Sequence, residues 1–146
     1  MKVWVPRDAA ARSLGADAVV DAIRDEAARR GETVEIVRNG SRGMIWLEPL
    51  VEVERDDVRI GFGPMRAADV AQVFDGDGLG AVDELPWMKR QSRLTFQRVG
   101  VIDPLSLPDY AAHGGLAGLR RALEMTQDEI VTEVTDSGLR GRGGAG

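Results

Sequence analysis

Cysteine is absent from the 146 residues, and histidine occurs once, as His113. Without thiolates this chain can form no disulfide, no thiol redox pair and no cysteine-ligated zinc or iron–sulfur centre. A single imidazole excludes a histidine-rich metal site too. No stretch approaches the ~20 consecutive apolar residues that a helical membrane span needs. The opening MKVWVPRDAA has no apolar run of signal-peptide length either, so a cytoplasmic protein is expected.

What is present is the balance of a globular protein, 43% hydrophobic and 29% charged residues, enough for one ordinary domain with a buried core or a smaller domain with an appendage. The net charge of −5 is unevenly spread. Residues 1–86 carry 17 acidic and 11 basic side chains, whereas residues 87–146 carry 7 and 8. The two stretches differ in character.

Lys2–Val5 (KVWV) is short, β-branched and aromatic and is stopped by Pro6, which reads as a strand. Beyond Gly15, the residues Ala16, Val19, Val20, Ile23 and Ala27 recur at spacings of three and four and end at Gly31. That pattern is an amphipathic helix with a glycine stop. TVEIVR (33–38), MIWLEPLVEVE (44–54) and VRIGF (58–62) read as three further strands separated by Asn39-Gly40 and Asp56-Asp57. Pro49 must then lie at an edge or bulge, since it has no N–H for a ladder.

MRAADVAQVF (65–74) sets Ala67, Val70, Ala71 and Phe74 on one helical face. Residues 1–80 thus form an α/β layer of order β-α-β-β-β-α, an outline similar to thioredoxin-like domains. DGDGLGAVDELPWMKRQ (75–91) has no periodicity, and 81–91 is expected to be a linker. SRLTFQRVG (92–100) could form a short strand, and IDPLSLPDY (102–110) reads as extended. Two helices follow, one lined by Leu116, Leu119 and Leu123, the other started by a Thr126/Glu129 capping box and ended by Ser137-Gly138.

The sequence closes on SGLRGRGGAG (137–146), with four glycines in the last six positions and arginines at 140 and 142. Glycines in series let several backbone N–H groups converge on an anion. Arginine beside them adds a planar fork suited to phosphate. By itself the motif suits a frayed basic tail equally well. An RNA-tracking arginine-glycine segment needs many repeats with aromatics between them, and there is one repeat here, so no nucleic-acid partner is expected.

The neighbourhood is more informative. From Gln91 onward the order IDP, then DYAAHGGLAGL, then SGLRGRGGAG resembles the NADH-binding flavoprotein subunits of respiratory complex I and the related NAD-reducing hydrogenases and soluble formate dehydrogenases. NGSRGMIWLEPLVEVE (39–54) and IGFGP (60–64) are most similar to the β subunit of molybdenum-containing, NAD-dependent soluble formate dehydrogenases. The resemblance implies that 92–146 is the helical lead-in to an FMN- and NADH-binding domain, broken off inside its glycine-rich loop. Gly141, Arg142, Gly143, Gly144, Ala145 and Gly146 carry over as flavin-loop positions.

It further implies FMN and NAD(H) in the full-length subunit, a [4Fe–4S] cluster downstream, and partner subunits of a multi-subunit complex. These residues alone are not expected to hold a cofactor tightly or to be catalytic. Domains of this kind often carry a [2Fe–2S] cluster on four cysteines. Lacking them, residues 1–80 would serve as a docking surface. A stand-alone cysteine-less docking module is the rival expectation.

Other residues invite plainer readings. His113 has no base or second ligand near it and suits a surface or helix-capping role. Trp4 and Trp46 are expected in the core or at a sheet edge, and Trp87 as a domain-docking anchor rather than a stacking platform. Lys89, Arg90, Arg93 and Arg98 form a basic cluster, solvated or facing an acidic partner, and Asp103-Pro104 fits an Asx turn.

Overall fold

The computed structural model describes residues 1–141, 143 and 144. Its centre is a four-stranded mixed sheet of order β2-β1-β3-β4, formed by Lys2–Trp4 (β1), Glu35–Val37 (β2), Val51–Arg55 (β3) and Val58–Phe62 (β4). β1 runs parallel to β2 and antiparallel to β3, and β4 returns antiparallel to β3. The α/β thioredoxin-like outline therefore holds.

Its register separates the two faces. Val3, Val53 and Ile60 lie opposite one another on one side, and Trp4 and Glu52 on the other. Against the first face packs the helix Ala16–Arg30 (α2), preceded by the short helix Ala9–Ser13 (α1), whose first turn is capped by the Asp8 carboxylate accepting from the Ala10 and Ala11 N–H groups. Val19, Val20 and Ile23 meet Val3, Val5, Val51, Val53 and Phe62 in the main core. α2 ends as its glycine predicts, with Gly31 at φ +71.

Several local expectations are corrected. Ile45–Leu47 is a 3₁₀ turn rather than part of a strand, because the chain folds back there, with the Leu47 N–H bonded to the Met44 carbonyl and a cis Glu48-Pro49 bond following. Trp46 is consequently not a core or sheet-edge residue but lies 59% exposed. Residues 65–74 make a 3₁₀ turn at Ala67–Asp69 and a single α turn at Gln72–Asp75 (α3), and Val70 and Val73, not Ala71, are buried. Residues 92–100 are turns without a strand. Leu107–Ala112 (α5) is helical instead of extended: Ser106 caps it, and Pro108 sits in the first turn, where its missing N–H costs nothing.

Residues 81–91, the expected linker, are packed. Gly61 and Gly80 bond through backbone, Leu79 N–H reaches the Gly61 carbonyl, and Ala81 bridges to Ile60, so this run continues the sheet beside β4. The approach is close enough that a Cβ on Gly78, at φ +65, would stand 2.6 Å from the Gly61 carbonyl oxygen. A 3₁₀ turn at Val82–Glu84 and the one-turn helix Pro86–Lys89 (α4) then bury Val82 and Met88 with Met44 and Leu50 in a second small core.

The helices Ala117–Ala122 (α6) and Gln127–Asp136 (α7) follow, with the expected capping box formed reciprocally by Thr126 and Glu129. Both leave leucine and valine side chains in solvent, among them Leu119, Leu123, Val131 and Val134. No helix among the described residues is long and apolar enough to cross a membrane.

Candidate functional site

The glycine loop leaves α7 through Ser137, whose N–H bonds to the Glu133 carbonyl, and Gly138 at φ +61. Gly141, Gly143 and Gly144 are exposed. A Cβ on Gly143 or Gly144 would meet nothing within 4 Å, and Gly144 takes φ +92. The backbone there is open to a bulky anion. Arg142, Ala145 and Gly146 lie outside the described residues.

Glycine backbone of this kind lets an anionic group come close and supplies no side-chain wall. A cleft of opposite charge lies on the helices before the loop: about 550 Å³ between α6 and α7, lined by Glu124, Asp128, Glu129, Glu133 and Asp136 with Arg121 bonded to Glu133. The Glu129 carboxyl is held below its ordinary pKa by the Thr126 backbone N–H and then by the Thr126 hydroxyl. Among the described residues no group of three or more His, Asp or Glu side chains could hold a metal ion.

The most elaborate polar construction lies on the second face of the sheet, and composition did not reveal it. Glu52 projects from β3 opposite Trp4 and is 1% exposed. Arg42 donates to it from both sides of its fork, Nε to Oε1 at 2.9 Å and Nη2 to Oε2 at 2.8 Å. Burial pulls the Arg42 guanidinium down, but the Glu52 carboxylate more than reverses this and holds its pKa above the ordinary value.

Arg59 of β4 approaches the same carboxylate at 3.4 Å and stacks over the Trp4 ring at 3.7 Å. Burial first, and then the charge of Arg42, lowers its pKa. The outer fork of Arg59 donates to the carbonyls of Gly100 and Val101, at 3.2 and 2.8 Å, and the buried Asn39 amide donates to the Gly100 carbonyl at 2.7 Å. One glycine carbonyl thus accepts from two side chains and fastens the start of the helical segment to the α/β layer. Gly100 takes φ +79, and a Cβ there would stand 2.4 Å from Arg42 Cδ. In the sequence, the available signal was Glu52 flanked by buried valines in a strand, where a charge needs a partner.

A second buried carboxyl is Glu48, next to the cis proline. It accepts from the Ser41 hydroxyl and from the Leu50 N–H at 3.0 Å. Burial nevertheless pushes its pKa above the ordinary carboxylate range.

The remaining sequence candidates resolve simply. Trp4 is buried. His113 caps α5 with its ring 2.9 Å from the Asp109 carbonyl, and its own carbonyl accepts from Arg98. Asp103 Oδ1 accepts from the Leu105 N–H, the expected Asx turn. Of the basic cluster, Lys89 pairs with Glu84, and Arg93 donates to the Val99 carbonyl.

Fold and site together define an α/β thioredoxin-like layer without cysteine, clasped to a helical segment that runs on into an open glycine-rich stretch. No family model matches the chain. It is 52% identical over 58 residues to the NADP-reducing hydrogenase subunit HndC of Solidesulfovibrio fructosivorans, a match covering 40% of this chain and 12% of that one. It is 54% identical over 41 residues to an NADH-quinone oxidoreductase subunit of Streptomyces coelicolor, covering 28% and 9%, and 50% identical over 44 residues to the corresponding subunit of Escherichia coli, covering 30% and 10%. A segment of the chain is thus homologous to subunits of NADH- and NADP-linked oxidoreductases, and it spans about a tenth of the length of these curated relatives.

Proposed function

We propose that residues 92–146 are the opening of an FMN- and NAD(H)-binding domain, and that the chain is the N-terminal part of a diaphorase subunit passing electrons between NAD(H) and iron–sulfur clusters. The observation that carries this reading is a capped helix delivering an open, positive-φ glycine loop flanked by arginine, in a chain sharing a segment about 50% identical with such oxidoreductase subunits. Bound FMN supplies the conversion between two-electron hydride exchange with NAD and one-electron steps.

The chain's own part is positioning. Glycines 141, 143, 144 and 146 would bring backbone N–H groups up to the phosphate, Arg142 would pair with it, and Ala145 keeps the approach free of bulk. The Gly100 clasp sets where this segment starts relative to the α/β layer. We place the subunit in a soluble NAD-dependent formate dehydrogenase complex, supported by the similarity of residues 39–54 and 60–64 to that β subunit; the thiol-free layer would there dock other subunits instead of carrying a cluster.

The test is the intact mass of the native polypeptide from its source cells, with the flavin content of the same sample. The expected result is a mass several times 15.8 kDa with FMN bound, and formate-dependent NAD reduction in the isolated complex. A flavin-free polypeptide of 15.8 kDa would replace this reading with a docking module. Residues 1–146 alone should bind FMN weakly, and a sub-micromolar affinity in a fluorescence titration would contradict the pocket being completed by further residues.

A further inference from the structure

The parallel pairing of β1 with β2 runs on past both strands: the Val5 N–H bonds to the Val37 carbonyl and the Arg7 N–H to the Asn39 carbonyl. Arg7 and Arg38, 31 positions apart in the chain, are thereby brought together beyond the carboxyl ends of two parallel strands. Ligands of open α/β sheets bind in that position. Here Arg7, Arg38, Arg12 of α1 and Asp17 from the first turn of α2 line a cleft of about 260 Å³.

Asp17 holds two of the three guanidiniums. Its Oδ1 accepts from Arg38 Nη2 at 2.7 Å and its Oδ2 from Arg12 Nε at 3.0 Å. The Arg38 bond first, and then the Arg12 bond, keep the Asp17 carboxyl below its ordinary pKa. Arg38 is fixed further by donating Nε to the Val5 carbonyl and Nη2 to the Pro6 carbonyl. After these bonds Nη1 of Arg38, both Nη groups of Arg12 and the whole fork of Arg7 have no acceptor among the described residues.

The neighbouring carboxylates are used elsewhere. Asp8 caps α1, Asp21 pairs with Arg24, and neither lines the cleft. Three guanidiniums therefore face one carboxylate, in a chain whose net charge is −5. A phosphate monoester brings about −1.5 to −2 charges near neutral pH and three strong acceptor oxygens, one for each arginine fork. A carboxylate, with two oxygens and a single charge, would leave one fork idle.

We propose that the Arg7–Arg12–Arg38 cleft binds a phosphoryl group, either inorganic phosphate or a small phosphate monoester, on three arginine forks that Asp17 aligns. The site lies in the α/β layer and does not depend on the diaphorase reading.

The test is calorimetric titration of the full-length protein in a phosphate-free buffer at constant ionic strength, with inorganic phosphate and with glycerol phosphate as probes. Hydrogen exchange read by mass spectrometry on the same samples locates the bound anion. The expected result is saturable binding that slows exchange within residues 7–18. Arg7→Gln and Arg12→Gln should each weaken it roughly tenfold, the loss of one charge-assisted contact. Arg7→Lys, which keeps the charge but not the planar fork, should recover part of that loss. Arg7 is exposed and makes no ion pair among the described residues, so its replacement leaves the fold intact. Tighter binding of glycerol phosphate identifies an organic monoester as the ligand class; tighter binding of inorganic phosphate identifies the free anion.

The absence of saturable binding would overturn the proposal. So would full displacement by chloride at the same ionic strength, or an affinity and an exchange footprint indifferent to Arg7 and Arg12. FMN content of the same preparation separates the two readings: bound FMN without a footprint on residues 7–18 refutes this site alone, and a footprint without FMN refutes the flavoprotein reading alone.

Discussion

Replacing Gly100 by alanine probes the clasp most directly. Two costs separate cleanly. Adopting the left-handed region at φ +79 costs an alanine about 1–2 kcal/mol. The added methyl would also stand 2.4 Å from Arg42 Cδ and 3.0 Å from its Nε, contacts that force the guanidinium off Glu52. Stripping one partner from a buried, bidentate pair costs roughly 3–5 kcal/mol. Because Arg59 remains 3.4 Å from Glu52, the lower end applies, and the variant should lose about 4–5 kcal/mol in all.

A domain of this size is typically stable by about 5–15 kcal/mol, so that loss brings the protein close to unfolding. Gly31→Ala is the internal control. Gly31 has nearly the same conformation, φ +71, with nothing within 4 Å of the new methyl, and should lose only the ~1–2 kcal/mol of backbone strain. Equilibrium urea unfolding followed by far-UV circular dichroism and by tryptophan fluorescence reads both variants. If Gly100→Ala costs no more than Gly31→Ala, the Arg42–Glu52 pair does not depend on a bare Gly100 and the clasp argument fails.

Two further outcomes follow from local chemistry. Glu48 has its folded-state pKa raised by burial above the unfolded value of 4.5, so the native state binds its proton more tightly and Glu48 costs stability as pH climbs from 4.5 through the raised value. Glu48→Gln keeps an oxygen for the Leu50 N–H and should raise Tm at pH 7 while leaving it unchanged near pH 4; a lower Tm at pH 7 would show that the charged form is needed. Thr126→Ala removes the hydroxyl half of the capping box on α7, leaving the backbone N–H of residue 126 on the Glu129 carboxylate, and should speed amide hydrogen exchange in its first turn roughly fivefold, the size of a typical N-cap contribution; unchanged exchange would mean the hydroxyl cap is idle.

The four strands, the long helix α2 and the capping box of α7 could be read from the sequence because each depends on neighbours within a few residues: alternation for strands, three- and four-residue spacing for helices, a hydroxyl three positions before a glutamate. SGLRGRGGAG was legible for the same reason, as its chemistry sits in consecutive residues. The misreadings arose where distant chain overrode local preference. Ile45–Leu47 alternates like a strand, but the fold-back at Met44–Pro49 turns it outward and leaves Trp46 in water. Val82 and Met88 look like linker until Met44 and Leu50, more than thirty positions earlier, supply their partners.

Sequence alone thus determined the α/β layer, the lack of cysteine in these 146 residues and the glycine-rich stretch, since all three are properties of composition or short-range order. Tertiary structure decided the rest. A buried ion pair is invisible until Arg42, Glu52 and Arg59 are brought together across the sheet, and the need for glycine at position 100 appears only when Asn39 and Arg59 converge on its carbonyl and Arg42 fills the space a side chain would occupy. The same holds for Trp46 and Trp87, 41 positions apart, whose edge-to-face contact forms one surface because the small core beneath holds both.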